Sequence, residues 1–451
     1  MSSLAFLFDA QFLGRAVEAI KLPRGAWSDL FLERSHTLRA SWDLQGGTRI
    51  TSGAREGFCL RIVDDGSQRL VTREGLSPEA ILDACGRTAG TPPDSAAPDP
   101  GDESDGQGVE GARATTFLAE MRERILARGL DESMLHLNVE IRSRHVCVTA
   151  PGRRIRQSRS GRAILSCRLG AAPEGVSAGL GTPGFAQLVA AQPGERLGRE
   201  LLARLADRRE ARQAPEGEFP ILLAAGTGGV FFHEACGHSL EADLVLRGDS
   251  PFRALLGERV AAPFVSAMDD ATQPGLEGSY DFDDEGTQAR GIVLIARGVL
   301  KAFLADRITG ARLGRGTTGS GRRESYRDTP LPRMSNAFLM AGEDDPEAIL
   351  RETPRGILVS RLEGGRMDPS TGDFRFRATA GRLIEAGRLG APLLPFTLAG
   401  NGPAALRAVA RVGSDLSFGD GTGSCGKDGQ QLPVAAGLPT VLLESLAVRP
   451  G

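Results

Sequence analysis

The chain has 451 residues, 41% of them hydrophobic and 25% charged, with a formal net charge of −3. These proportions belong to a soluble globular protein, and they exclude a collagen-like chain or a strongly basic one built to coat nucleic acid. No apolar run approaches the ~20 residues of a membrane span, so neither nucleic acid nor membrane is expected as a partner.

The length suggests roughly two or three domains. Nearly all basic charge is arginine, and the only lysines are Lys21, Lys301 and Lys427. Cys59, Cys85, Cys147, Cys167, Cys236 and Cys425 are scattered, with no C-x-x-C pair. In a reducing compartment most such thiols act as small buried hydrophobes. The first residues carry no basic segment and no cleavage signature, so a cytoplasmic location is expected.

In chain order, residues 1–88 read as an N-terminal α/β domain. Residues 12–20 have helical spacing. Alternation begins at 27–33, returns at 38–44 and 49–52, and is strongest over 56–63 before the Asp64-Asp65-Gly66 turn. Ser77 and Pro78 are the N-cap and first-turn proline of a helix ending near Cys85. Residues 89–112 are rich in Pro, Gly, Ser and Asp and lack apolar residues to bury, which predicts an exposed acidic linker. Residues 113–216 form a central α/β domain: a helix over 114–128, strands over 135–148 and 163–169, a glycine-rich loop over 174–184, and a long charged helix over 194–212.

The third unit, 217–451, opens on a short buried strand, 219–225. Gly226-Thr227-Gly228-Gly229 then turns into a helix, with Thr227 as its N-cap. No Lys-Ser/Thr pair follows, which argues against a phosphate loop. Strands dominate thereafter, over 291–296, 299–304, 356–362, 373–378, 382–385, 396–399 and 441–446. The fold class is α+β: N-terminal α/β units followed by a strand-rich C-terminal domain.

The chemistry concentrates in Phe231-Phe232-His233-Glu234-Ala235-Cys236-Gly237-His238. Of five histidines in the chain, two lie here beside a carboxylate. Imidazoles bind a metal, and a carboxylate can take a proton from water. The histidines stand at i and i+5, not at the i and i+4 of a zinc-protease helix. On a regular helix their rings diverge by about 140°. Both reach one metal only if the helix is distorted, by a π-type bulge or a break at Gly237.

Zinc needs at least a third ligand. Cys425 is the best remote candidate, in the glycine-rich loop Gly419-Asp420-Gly421-Thr422-Gly423-Ser424-Cys425-Gly426-Lys427-Asp428-Gly429. The competing reading is an ordinary buried cysteine in a hairpin. Glu241 and Asp243, one turn past His238, are alternative ligands. Cys236 reads as core filler.

These residues resemble the TldD/PmbA metallopeptidases, specifically their catalytic TldD-type branch. The resemblance covers nearly the whole length. It rests on the 233–238 stretch with Leu240-Glu241-Ala242-Asp243, on Asp283-Asp284-Glu285-Gly286, on Gly321-Arg322-Arg323-Glu324-Ser325-Tyr326-Arg327 and Pro332-Arg333-Met334-Ser335-Asn336, and on Gly364-Gly365, Gly400-Asn401-Gly402 and Cys425-Gly426-Lys427-Asp428-Gly429-Gln430. It implies an H-E-x-x-x-H helix in which His233, His238 and Cys425 bind one zinc per chain and Glu234 is the base. Tyr326, Arg322 and Arg323 are candidates for substrate binding or for stabilising the oxyanion.

The implied activity is zinc-dependent cleavage of unfolded peptides or small unstructured proteins, including maturation of peptide natural products. An extended peptide can add to a sheet edge. The implied assembly is a heteromer with a metal-free PmbA/TldE-type paralogue, or else a homodimer. Two other readings stand beside this one: a metal-dependent amide hydrolase dedicated to a biosynthetic pathway, and a regulatory peptide-binding protein.

Overall fold

The computed structural model describes residues 10–86, 104–150, 156–170, 175–226 and 229–451. Six strands form the first sheet: Trp27–Asp43 (β1), Gly47–Asp64 (β2), Ser67–Glu74 (β3), Leu135–Thr149 (β4), Arg156–Leu169 (β5) and Val176–Thr182 (β6). Their order is β3-β2-β1-β4-β5-β6, antiparallel throughout. The segments 27–33 and 38–44, expected as separate strands, are one continuous strand. So are 49–52 and 56–63.

Period-2 alternation explains the layering. Leu38, Ala40, Leu137, Val139, Ile141, Ala163 and Leu165 project to one face, where the helices Ser104–Leu126 and Gly194–Glu210 bury them. The short helices Ala10–Glu18 and Pro78–Gly86 cover Leu30, Leu32, Phe58, Leu60 and Ile62 in the same way.

The structure revises three expectations. Residues 1–88 and 113–216 contribute strands to one sheet, because β1 pairs with β4 over its length. The expected linker 89–112 lies outside the described residues up to 103, and its remainder, from Ser104, is already helix. The glycine-rich segment 174–184 is largely strand β6 rather than loop. Its glycines answer to a close approach: a Cβ on Gly181 would stand 1.7 Å from the Gly421 carbonyl oxygen. Gly181 N–H also donates to Asp420 O at 2.7 Å. The Thr227 N-cap falls outside the described residues.

From Gly217–Leu223 (β7) onward the chain builds two further large sheets, β7 lying in the first. One runs Arg355–Met367, β7, Val441–Pro450, Phe396–Asn401, Asp373–Glu385, Arg388–Pro392, and curls back on itself because its first and fifth strands also pair. The other runs Val299–Leu300, Gly291–Ala296, Ala267–Asp270, Asn336–Leu339, Ala435–Leu438, Ser417–Phe418. The segment 229–240 lies between them. Phe231 meets the Phe374 ring edge-on at 5.5 Å on one side. On the other, a Cβ on Gly229 would stand 2.4 Å from the Ala436 carbonyl. The chain's largest apolar cluster surrounds this segment.

A buried ionic seam joins the first sheet to the C-terminal region. Arg61 pairs with Asp29 on the neighbouring strand and with Glu285, 2.7 Å away. Arg307 stacks on the Trp27 ring at 3.5 Å. Tyr326 N–H donates to Glu33 at 2.7 Å. Among the described residues, no helix is long and apolar enough to cross a membrane.

Candidate metal centre

The helix carrying the two histidines changes pitch where they occur. Gly229–Phe232 is α-helical, His233–Gly237 is a π-turn and His238–Leu240 is a 3-10 turn. His238 N–H donates to the His233 carbonyl, an i→i+5 bond that widens the turn and brings residues 233 and 238 to one side. Their ring centroids stand 5.2 Å apart. The distortion that the spacing requires is therefore present.

Close backbone contacts shape the π-turn. A Cβ on Gly402 would stand 1.9 Å from the Ala235 carbonyl oxygen. Gly402 opens a helix capped by Asn401, whose side-chain oxygen accepts from Ala404 N–H at 3.2 Å. The motif Gly400-Asn401-Gly402 thus backs the metal-site turn. Cys236 is buried in the core, where desolvation pushes its thiol far up.

Cys425 arrives on a two-stranded hairpin, Ser424–Lys427 with Gln430–Pro433. Asp428 and Gly429 form its tip with φ of 48° and 80°. Two consecutive positive φ values define the tight hairpin turn that Asp-Gly favours. Arg333 donates to the Cys425 carbonyl at 2.6 Å. The Cys425 thiol is buried and lies 3.4 Å from His238 Nε2. One ligand atom each from His233, His238 and Cys425 lie within 4.8 Å of one another.

The donor set fits zinc. Both ring nitrogens of His233 are buried without a hydrogen-bond partner among the described residues. An unsatisfied buried polar group is costly, and a bound cation satisfies it. Burial by itself raises the Cys425 thiol, but His233 and His238 outweigh it and hold the pKa well below the usual value. Two imidazoles and a thiolate are the donor types that would hold a zinc ion.

The shell around His238 is built on one oxygen of Glu241. Its Nδ1 faces Glu241 Oε2 at 3.1 Å, leaving Nε2 toward Cys425. Lys427 Nζ donates to Glu241 at 2.9 Å, to Asp243 at 2.7 Å and to the Pro332 carbonyl at 3.0 Å. Burial raises the Glu241 carboxyl, yet Lys427 and His238 bring it down to about 2. Glu241 and Asp243 are thus committed to Lys427 and do not replace Cys425 in the cluster. Burial lowers the His238 imidazole, but Glu241 and the Cys425 thiolate carry it well above its ordinary value.

Glu234 projects beside the cluster. Its Oε2 is 4.0 Å from His238 Nε2, and its side chain is 26% exposed, so it lies beside the histidine and reaches solvent. The residues 322, 323 and 326 sit elsewhere. Arg322 Nη1 and Nη2 donate to the Met334 and Pro433 carbonyls at 2.5 and 2.9 Å. Arg323 is fully buried in the ionic seam, 3.5 Å from Asp29. Tyr326 packs in a small cluster with Phe31 and Cys59, and its hydroxyl accepts from Arg327 Nε at 3.1 Å. These three hold backbone and the seam; none joins the His233–His238–Cys425 cluster.

Lys427 and Arg333 have no role legible in the sequence, and Glu241, an alternative ligand on sequence grounds, is instead the partner of one. The signal for Glu241 was its place three residues after His238, within side-chain reach on a helical turn.

A family model for the PmbA/TldA metallopeptidase C-terminal domain matches residues 216–450. The chain belongs to this TldD/PmbA family. It is 38% identical over 238 residues to a metalloprotease TldD homolog of Buchnera aphidicola subsp. Schizaphis graminum, covering 53% of this chain and 49% of that protein. It is 31% identical over 249 residues to a zinc metalloprotease TldD homolog of Saccharolobus solfataricus, covering 55% of each. The matches therefore span about half the length of these curated relatives.

Two solved structures share the fold. TldE from Thermococcus kodakarensis superposes with a TM-score of 0.72 at 17% identity, over 97% of this chain and 99% of that one. A Thermotoga maritima protein described as a candidate modulator of DNA gyrase gives 0.73 at 20% identity, again over 97% and 99%.

Proposed function

We propose that this chain is a zinc-dependent peptidase in which His233, His238 and Cys425 hold one zinc ion and Glu234 is the general base. The observation that carries the reading is the convergence of the three donor atoms within 4.8 Å on an otherwise unsatisfied histidine. Zinc in such a site supplies a Lewis acid that polarises a carbonyl and acidifies water.

The chain's own residues do the rest. Glu241 holds His238 so that Nε2 faces the site. Glu234 takes a proton from the attacking water and then delivers it to the leaving amine nitrogen. Its partial exposure lets water and peptide reach it.

Extended, unstructured peptides suit the surroundings. Residues 361–367 pair with the strand Asp373–Glu385 on one side, and have no strand on the other among the described residues. That open edge passes Glu234 at Gly365, where a Cβ would stand 3.6 Å from Glu234 Cγ. An edge of this kind binds peptide by main-chain hydrogen bonds. Maturation of a peptide natural product fits the same chemistry. We further propose assembly as a heteromer with a metal-free PmbA/TldE-type paralogue, or else as a homodimer, in the cytoplasm.

The test is removal and return of the metal. Chelated protein should lose cleavage of an unstructured peptide and regain it with zinc. Full cleavage by zinc-free protein would refute the proposal.

A further inference from the structure

We infer that an arginine-lined groove beside Glu234 selects peptides with acidic side chains at alternate positions. The inference rests on the peptidase reading and names its substrate class.

The groove, about 560 Å³, lies on the C-terminal sheet and is walled by Arg366, Arg375, Arg377 and Arg449. All four are exposed, and none makes an ion pair or hydrogen bond among the described residues. The one acid on its wall, Glu363, is taken by Arg361 Nε at 2.6 Å. Four uncompensated guanidinium groups thus face one groove of a protein whose net charge is −3. Such clusters of one sign focus potential and attract the opposite charge.

Strand geometry fixes the arrangement. Phe374, Phe376 and Ala378 turn to the core, so Arg375 and Arg377 between them turn away from it, about 7 Å apart along the strand. Across the sheet, Arg366 pairs with Arg375, while Glu363 pairs with Arg377, Arg377 with Thr397 and Thr397 with Arg449. Two rows bearing arginines therefore cross this face, one headed at the open edge by Arg366 and the other by Glu363, which Arg361 already holds.

The groove meets the proposed base at one residue. Gly364 has φ +62°, and the strand register shifts between Glu363 and Gly365. Gly365 lines the groove, while the direction its missing side chain would take runs to Phe376, 2.5 Å, and Glu234, 3.6 Å. A peptide added to the open edge at 361–367 sends alternate side chains to opposite faces. One set then lies toward Glu234, and the other lies beside Arg366 and the row behind it. Carboxylates on that second set meet guanidinium groups able to bind them through paired hydrogen bonds.

Fluorescence anisotropy on zinc-loaded Glu234→Gln protein tests this without turnover. The probes are a short unstructured peptide with aspartates at alternate positions, its asparagine counterpart, and a single-stranded oligonucleotide of equal charge. The aspartate peptide should bind about 10-fold more tightly than its counterpart at low salt, with the gap closing as ionic strength rises. The double variant Arg375→Glu, Arg377→Glu should abolish the preference, and Arg449→Gln should narrow it. Equal binding of the two peptides, or a preference that survives the double variant, overturns the inference. Tighter binding of the oligonucleotide than of the aspartate peptide also overturns it, and assigns the groove to nucleic acid. Cleavage of the asparagine peptide by the unmutated protein is scored separately. Lost preference with intact cleavage sinks only the acidic selectivity, and absent cleavage with intact preference sinks only the peptidase reading.

Discussion

Lys427 Nζ stands 2.9 Å from Glu241 Oε2, and the same carboxylate oxygen holds His238 Nδ1 at 3.1 Å. Because Lys427 follows Cys425 by two residues, one ammonium group ties the hairpin bearing the thiolate to the helix bearing the imidazole. Removing it leaves Glu241 buried and unpaired on that side. Lys427→Met should therefore weaken zinc binding about 10–100-fold, as losses of groups behind a ligand commonly do. Competition with a chromophoric chelator measures it. Unchanged affinity would show that the two ligand segments are held independently.

The π-turn depends on Gly402. Its Cα approaches so closely that an added Cβ would stand 1.9 Å from the Ala235 carbonyl oxygen. That atom is backbone and cannot rotate away. Gly402→Ala should cost about 1–3 kcal/mol and displace the turn between the histidines. Denaturant unfolding should report the cost, and zinc titration of the folded fraction should report the displacement.

Arg61 is fully buried between Asp29 and Glu285. Arg61→Met would remove the cation paired with Glu285 and leave Asp29 only its longer contacts to Arg323 and Arg307, at 3.5 and 3.9 Å. We expect a loss of about 3–5 kcal/mol, the usual cost of breaking a buried ion network. Proteolysis should show whether the first sheet loosens from the C-terminal region. Arg61→Met with Asp29→Asn and Glu285→Gln should recover part of the loss.

Asp306 offers a pH signature away from the metal site. Burial, then the neighbouring charge of Glu285, raises its carboxyl from 3.8 to about 6. The folded protein thus keeps a proton on Asp306 that the unfolded chain releases above about pH 4. This contribution to stability is fully present below that pH and is lost as pH rises through about 6. Asp306→Asn keeps the oxygen that accepts from Thr309 N–H, a 2.7 Å bond in the wild type, but cannot ionise. Relative to wild type, the variant should gain stability between pH 4 and 7, on the order of 2–3 kcal/mol. Urea melts across that range check it, and a flat difference would contradict the assignment.

The sequence disclosed the site's local geometry better than its long-range support. The i, i+5 spacing of His233 and His238 demands a widened turn, and a π-turn occupies those residues. Cys425 was an open choice on residues alone, because nothing local links position 425 to 238; the family resemblance carried it. Pairing of β1 with β4 was hidden for the same reason, since register between strands far apart in sequence leaves no local pattern. The glycines of β6 looked like a loop because the need for Gly181 comes from outside, from the Gly421 carbonyl. Arg323 and Tyr326 looked catalytic because charged and aromatic residues in a dense motif suit an active site. Burial in an inter-sheet seam requires the same residue types for a different reason: the Arg323 guanidinium compensates Asp29, and the Tyr326 ring fills the cluster with Phe31 and Cys59.

The central claim is that Glu234 moves the proton while three other residues hold the metal. Glu234→Gln keeps size and hydrogen bonding but removes the base. Zinc content and cleavage of an unstructured peptide, measured on the same preparation, test the claim most directly. We expect one zinc per chain to remain and cleavage to fall about 10²–10⁴-fold, the usual contribution of a general base. Undiminished cleavage by the zinc-loaded variant would contradict the account.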